Sequence, residues 1–221
     1  MKAPTPGLRI TYFRTYREVA SGPEALDNLA RILAGQLEVP GMTLRSRDRF
    51  DIIRALTAAG DPRAAELLRR QSEADKSDDA RRYAFAAAAA APEAGVKRRY
   101  FDIYTTESKV AESWIEASLG PFNAPQQSAL TLPHLDAALR ELPKLKRTRK
   151  IFFVNGWLAA FVGGQCEEPA AAAVRDFLAR ETTLDRDLRL KVLEVADGLE
   201  RCVRVRAKFA GEAPGAARRA P

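Results

Sequence analysis

Apolar residues recur along this chain at helical spacing, and each run is closed by a Pro, Gly or Ser signal. Ile10 to Ala20 has aromatic residues at helical spacing and stops at Ser21-Gly22-Pro23. Pro23 suits the first turn of a second helix, because its missing N–H would have no partner there, and Glu24 suits the positive end of that helix. Its stripe is Leu26, Leu29, Ile32, Leu33 and Leu37, so the pattern predicts helix to about Glu38, broken by Val39-Pro40-Gly41. Ser46 is placed to cap a third helix with Phe50, Ile53, Leu56 and Thr57 inward, and Gly60 ends it. Asp61-Pro62 opens a fourth carrying Leu67 and Leu68. Ser77 is placed to cap an alanine-rich helix up to Ala91.

The later segments repeat this grammar. Glu93 to Tyr104 and Lys109 to Leu119 read as helices, the second capped by Ser108 with Val110, Trp114 and Ile115 inward. Pro121, Pro125 and Pro133 cut the next part into short helices. Leu145 to Val162, Pro169 to Arg180, and Leu184 to about Phe209 complete the set. Ile151-Phe152-Phe153-Val154 is β-prone alone, but its continuation through Trp157, Leu158 and Phe161 predicts a buried helix, with Phe152 to Phe161 inside. No useful segment alternates with period two. The expected fold is all-α: about ten helices in a HEAT-like α-solenoid or superhelical array. Residues 10–209 are expected to form one helical domain, with residues 1–9 an N-terminal extension and 210–221 a disordered tail.

Composition adds the environment. At 221 residues, 46% apolar and 29% charged, the chain can bury a core without staples. Two cysteines, Cys166 and Cys202, are too few for a disulfide framework and are expected as free thiols in a reducing compartment. The start lacks a secretory core, and the longest apolar run, Ile151 to Gly164, is short of a membrane span of about 20 residues. A cytoplasmic protein without a membrane partner is expected. The net charge is +7, with 36 basic and 29 acidic residues interspersed. The basic excess collects at Lys144 to Lys150 and beyond Arg201.

Catalytic constellations are scarce. The chain holds one histidine, His134, so a zinc site built from two histidines one helical turn apart is excluded. Gly163-Gly164 is no phosphate loop, since no Lys-Ser/Thr follows. The carboxylate pairs Glu167-Glu168, Asp78-Asp79 and Asp185 with Asp187 sit at expected helix N-termini, where they offset the dipole. No catalytic residue and no metal ligand is therefore assigned. The basic run remains the lead: a solvated helix end, a wall for the carboxylate end of a peptide, or a nucleic-acid surface, the last disfavoured because the aromatics after it are spaced for a core. Arg149 and Lys150 are its candidates for a substrate path. Asn123 and Gln127, with Gln126 and Asn155, can bond peptide backbone or equally cap loop ends.

One ordered set of residues carries a family likeness. It runs through Tyr12-Phe13-Arg14-Thr15-Tyr16-Arg17, Pro40-Gly41-Met42-Thr43-Leu44, Asp48-Arg49-Phe50-Asp51-Ile52-Ile53 and Lys97-Arg98-Arg99-Tyr100, then Glu112-Ser113-Trp114-Ile115-Glu116. Its densest block is Phe122-Asn123, Leu130-Thr131-Leu132-Pro133, Arg149-Lys150-Ile151-Phe152-Phe153, Trp157-Leu158 and Gly163-Gly164-Gln165, and Asp187 to Glu194 with Leu199-Glu200-Arg201 closes it. This set resembles the C-terminal helical domain of the aminopeptidase N family of zinc peptidases. The resemblance implies a HEAT-type domain that covers the active site and limits peptide access, with a thermolysin-like catalytic domain or the peptide substrate as partner. It also implies that zinc belongs to that catalytic domain, and that this chain holds no cofactor. Lacking the zinc motif, the chain corresponds to a fragment, a split gene product or a stand-alone relative. The alternative is a stand-alone α-solenoid binding module for a protein or nucleic acid.

Overall fold

The computed structural model describes residues 5–106 and 109–210, and every regular element among them is helical. Eleven α-helices have 11 to 24 residues and one has four. The elements are α1 (Pro6–Val19), α2 (Pro23–Leu33), α3 (Ser46–Ala58), α4 (Ala64–Ala74), α5 (Asp78–Ala89), α6 (Ala94–Thr105), α7 (Glu112–Phe122), α8 (Ser128–Thr131), α9 (Leu135–Thr148), α10 (Ile151–Phe161), α11 (Glu168–Arg180) and α12 (Arg186–Phe209). Two 3-10 turns, Pro125–Gln127 and Leu132–His134, flank α8. The chain divides into two compact units, Met1–Leu130 and Thr131–Pro221. None of the helices is long and apolar enough to cross a membrane.

In the first unit, α3 packs on α2, α4 and α5, and α5 packs on α7. One core joins Phe13 of α1, Leu29 and Ile32 of α2, and Ile52 and Leu56 of α3; Phe50, Ile53 and Ala80 form another. α3 presents apolar side chains to both cores, and Ile52, Ile53 and Leu56 are fully buried. α2 ends at Leu33 rather than near Glu38, because Gly35 takes φ +73° and the Gln36 N–H closes the turn on the Arg31 carbonyl. Gly60, at φ +71°, ends α3 in the same left-handed conformation.

The helix starts show which side chains cap. Ser77 does as expected, accepting the Ala80 N–H at 3.2 Å. Ser46 does not. It is the first residue of α3, and its hydroxyl donates to Asp75, while the Asp48 carboxylate accepts the Arg45 N–H at 3.2 Å. α1 starts at Pro6 under a Thr5 cap, four residues before the expected start. The cap expected at Ser108 lies outside the described residues, as do residues 1–4 and 211–221 at the ends of the chain.

The second unit is a four-helix arrangement in which α9 packs on α10, α11 and α12, and α12 also packs on α10 and α11. Here the expected helix from Leu145 to Val162 is broken: Leu145 to Thr148 are the last turn of α9, which begins at Leu135 in a stretch expected as short helices, and α10 starts only at Ile151. α9 buries Leu135, Ala138, Leu139, Leu142 and Leu145, and one more turn would carry Arg149 onto that buried stripe. The backbone instead becomes extended at Arg149 and Lys150, and α10 restarts at Ile151. In α10 the residues Phe153, Trp157 and Phe161 share one buried face, and the Trp157 Nε1–H donates to the Ala138 carbonyl at 3.0 Å. Phe152 points away from that face and is 79% exposed, so burial from Phe152 onward is corrected to burial from Phe153. About 100° of helical turn separates the two neighbours.

The free-thiol expectation is also corrected. Cys166, in the turn before α11, and Cys202, on α12, form a disulfide with Cα atoms 5.3 Å apart. The 36-residue separation gave no hint of this pairing, because the packing of α11 on α12 creates it. With the thiols gone, the ground for inferring a reducing compartment goes too.

Candidate functional site

The four substrate-path candidates fall in different units. Arg149 and Lys150 occupy the break between α9 and α10 in the second unit, where the Arg149 guanidinium lies 5.4 Å from the centre of the Phe153 ring and Lys150 is exposed. Part of the basic run is engaged in ion pairs. Lys146 donates to Asp187 at 2.5 Å and lies 3.4 Å from Asp185, which raises its pKa, and Lys144 lies 3.4 Å from Glu141.

Asn123 and Gln127 are buried structural amides of the first unit. The Asn123 Nδ2 donates to the Leu119 carbonyl at 3.1 Å, within the last turn of α7. The Gln127 Nε2 donates to the carbonyls of Ala58, the last residue of α3, at 2.8 Å and Ala90, just past α5, at 2.7 Å. One amide thus serves two helix C-termini whose carbonyls have no partner within their own helices. This geometry matches the capping alternative for both amides.

The expected acidic pairs also sit at helix starts. Asp78 and Asp79 lie in the first turn of α5, Glu168 in that of α11, and Asp185 caps α12 by accepting the Leu188 N–H at 3.0 Å. His134 lies in a 3-10 turn. Among the described residues, no three His, Cys, Asp or Glu side chains are grouped to hold a metal ion.

A site absent from the sequence reading lies in the first unit. α1, α3, α5 and α7 together wall a recess of about 460 Å³. α1 supplies Arg17 and Glu18, and α3 supplies Arg47, Phe50, Asp51 and Arg54, which share one face at i, i+3, i+4 and i+7. α5 adds Arg82 and Tyr83, and Ala117 and Pro121 of α7 close it.

Asp51 is the hub of its charges. Its carboxylate accepts from the Arg17 Nη1 at 3.0 Å and lies 3.6 Å from Arg54 and 3.8 Å from Arg47. Arg17 is 5% exposed and donates its other terminal nitrogen to Glu18 at 3.4 Å. Arg82 donates to Asp79 at 2.8 Å. The Nε atoms of Arg17, Arg54 and Arg82 are all buried without a hydrogen-bond partner.

Arg54 and Arg47 have no hydrogen bond among the described residues, and Arg54 is the more buried of the two. It has an ion-pair contact with Asp51. Burial lowers its pKa; Asp51 opposes that shift, while Arg17 and Arg47 add like-charge repulsion. Glu18 and Asp51 are the acidic residues of the lining, against four arginines. Four guanidinium groups in one lining give it the capacity to bind an anion.

Sequence reasoning placed Arg17 and Asp51 only inside longer motifs. The available signal was Arg47, Asp51 and Arg54 spaced on one helical face, but a charged helical face is ordinarily a solvated one. Comparison with models of known protein families finds no match, and comparison with curated proteins finds none either.

Proposed function

We propose that this chain is a non-catalytic helical domain of the aminopeptidase N type, which works beside a zinc-bearing catalytic domain and limits peptide access to it. The observation that carries the reading is a built recess whose lining is dominated by guanidinium groups, in a chain with a single histidine. Such a chain can hold a peptide but lacks the ligands that make zinc-bound water a nucleophile. The ordered residues from Tyr12 to Arg201 support the family assignment. Packing between helices close in sequence, such as α3 on α2, α4 and α5, supports a HEAT-like array. Zinc and bond cleavage belong, in this reading, to the partner domain.

The stand-alone binding module is the second reading, and the recess favours a version that binds an anionic ligand. Its nucleic-acid version loses ground, because Lys144 and Lys146 are engaged by carboxylates. The disulfide favours an oxidising compartment over the cytoplasm.

The purified chain is expected to hold no stoichiometric zinc by elemental analysis and to release no product from aminoacyl reporter substrates. Mixed with an aminopeptidase catalytic domain lacking its own helical domain, it should form a complex and change the peptide-length profile. One equivalent of zinc together with chelator-sensitive hydrolysis by the chain alone would overturn the reading.

A further inference from the structure

The arginine recess does not stand alone. A second recess, of about 470 Å³, shares Arg17, Glu18, Arg54 and Pro121 with it, so those four residues border both. The second is walled chiefly by small and apolar side chains, among them Leu26, Ala55, Ala58, Ala59 and Ala124. A cationic compartment thus lies beside an alanine-lined one, and Arg54 stands in the lining of both.

From this we infer that the paired recess is a binding site for a carboxylate joined directly to an apolar group, with the carboxylate on Arg54 and the apolar group among the alanines. The charge balance selects the head group. Four arginines face Glu18 and Asp51 in the lining, and Arg82 already donates to Asp79 outside it. About one positive charge is left uncompensated, which a carboxylate neutralises. A phosphate monoester brings nearly two negative charges to a pocket where Asp51 already lies within 4 Å of three arginines, and it is disfavoured.

Hydrogen bonding points to the same anchor. Arg54 has no hydrogen bond of its own, and its guanidinium can meet a planar carboxylate with two parallel N–H donors. An acceptor there would also relieve the repulsion from Arg17 and Arg47 that helps to lower the Arg54 pKa. The neighbouring compartment selects the tail, because alanine walls leave room for a branched aliphatic or small aromatic group and offer it apolar contact. The inference stands whether or not the chain works beside a peptidase. The same chemistry is presented by a free branched-chain acid and by the last residue of a peptide.

The test is calorimetric titration of the full chain with 4-methylvalerate, its neutral amide, acetate and inorganic phosphate. A leucine-ending peptide, with its C-terminus free or amidated, distinguishes the two sources. 4-Methylvalerate should bind more than about tenfold tighter than acetate, as the added carbons leave water, and its amide should lose about tenfold or more with the charge-assisted bonds. Arg54→Gln should abolish binding, and because it removes a half-buried, repelled cation, its thermal midpoint should not fall. Ala55→Leu, which fills the apolar compartment, should weaken 4-methylvalerate and leave acetate unchanged. A free-ended peptide that binds as well as the acid assigns the site to peptide ends, and binding by the acid alone assigns it to free acids; either supports the site. Equal binding of acid and amide, acetate or phosphate binding as tightly as 4-methylvalerate, or no binding by any probe would overturn it.

Discussion

Gln127 offers the sharpest test of a structural against a substrate-binding role. Its Nε2 donates to Ala58 at the end of α3 and to Ala90 just past α5, at 2.8 and 2.7 Å, so it ties two helix ends of the first unit together. Gln127→Met keeps the length of the side chain and removes both donations. Each carbonyl then loses its acceptor role in a buried or half-buried setting, at about 1–3 kcal/mol per group at most. The expected loss is about 2–4 kcal/mol, a large share of the roughly 5–15 kcal/mol typical of a folded domain.

Gln127→Glu separates hydrogen bonding from shape. At neutral pH it places a buried carboxylate against two carbonyl oxygens, and it should destabilise more than the methionine variant. Burial raises the folded pKa of that carboxyl above its unfolded value. In the window between the two values the folded state therefore binds more protons, and stability falls as pH rises through the folded pKa. Acidification restores one O–H donor, so the gap to the wild type should narrow as pH falls through the raised folded pKa towards the unfolded value of about 4.3. Urea unfolding followed by circular dichroism at pH 4.5 and pH 7 measures both effects. A methionine variant within about 0.5 kcal/mol of the wild type, or a glutamate gap that does not narrow on acidification, would refute the clip.

Two other features give clear expectations. Lys97 is fully buried, its ammonium donating to the Ala89 carbonyl at 2.9 Å and lying 5.2 Å from the centre of the Phe122 ring, and burial lowers its pKa to about 8. Between about pH 8 and its ordinary 10.5 the unfolded chain binds more protons, so stability should rise with pH by about 3 kcal/mol from this group. Lys97→Met should lose that rise, and a wild-type-minus-variant difference that stays flat from pH 7 to 10.5 would refute it. The Cys166–Cys202 bond spans 36 residues, so reduction or Cys202→Ser should cost about 4 kcal/mol by the chain-entropy relation. A midpoint unchanged by a reducing agent, with the bond shown broken by mass, would contradict that.

The sequence by itself determined the all-helical class and most helix ends, though not α9, whose first turns were expected as short helices. Period-3.6 stripes and Pro, Gly and Ser signals act within a few residues, so Ser77 and Gly60 were legible where they stand. Local signals failed where a neighbour competed. The Asp48 carboxylate, not Ser46, bonds at the start of α3, and the need to keep Arg149 off a buried stripe broke the helix expected from Leu145, leaving its first four residues as the end of α9. Exclusion of a two-histidine zinc site was also a sequence fact, because it rests on a count.

Only the tertiary structure decided which distant residues meet. Cys166 finds Cys202 because α11 packs on α12, and Gln127 finds Ala58 and Ala90 because α3 packs on α5. The arginine recess needs four helices at once. Along the chain Arg17, Arg47, Arg54 and Arg82 look like ordinary solvated charges, and the burial of Arg17 and the desolvation of Arg54 arise only when α1, α3, α5 and α7 come together. Periodicity reports which face of a helix turns inward, whereas charge density at a site depends on which faces are brought together.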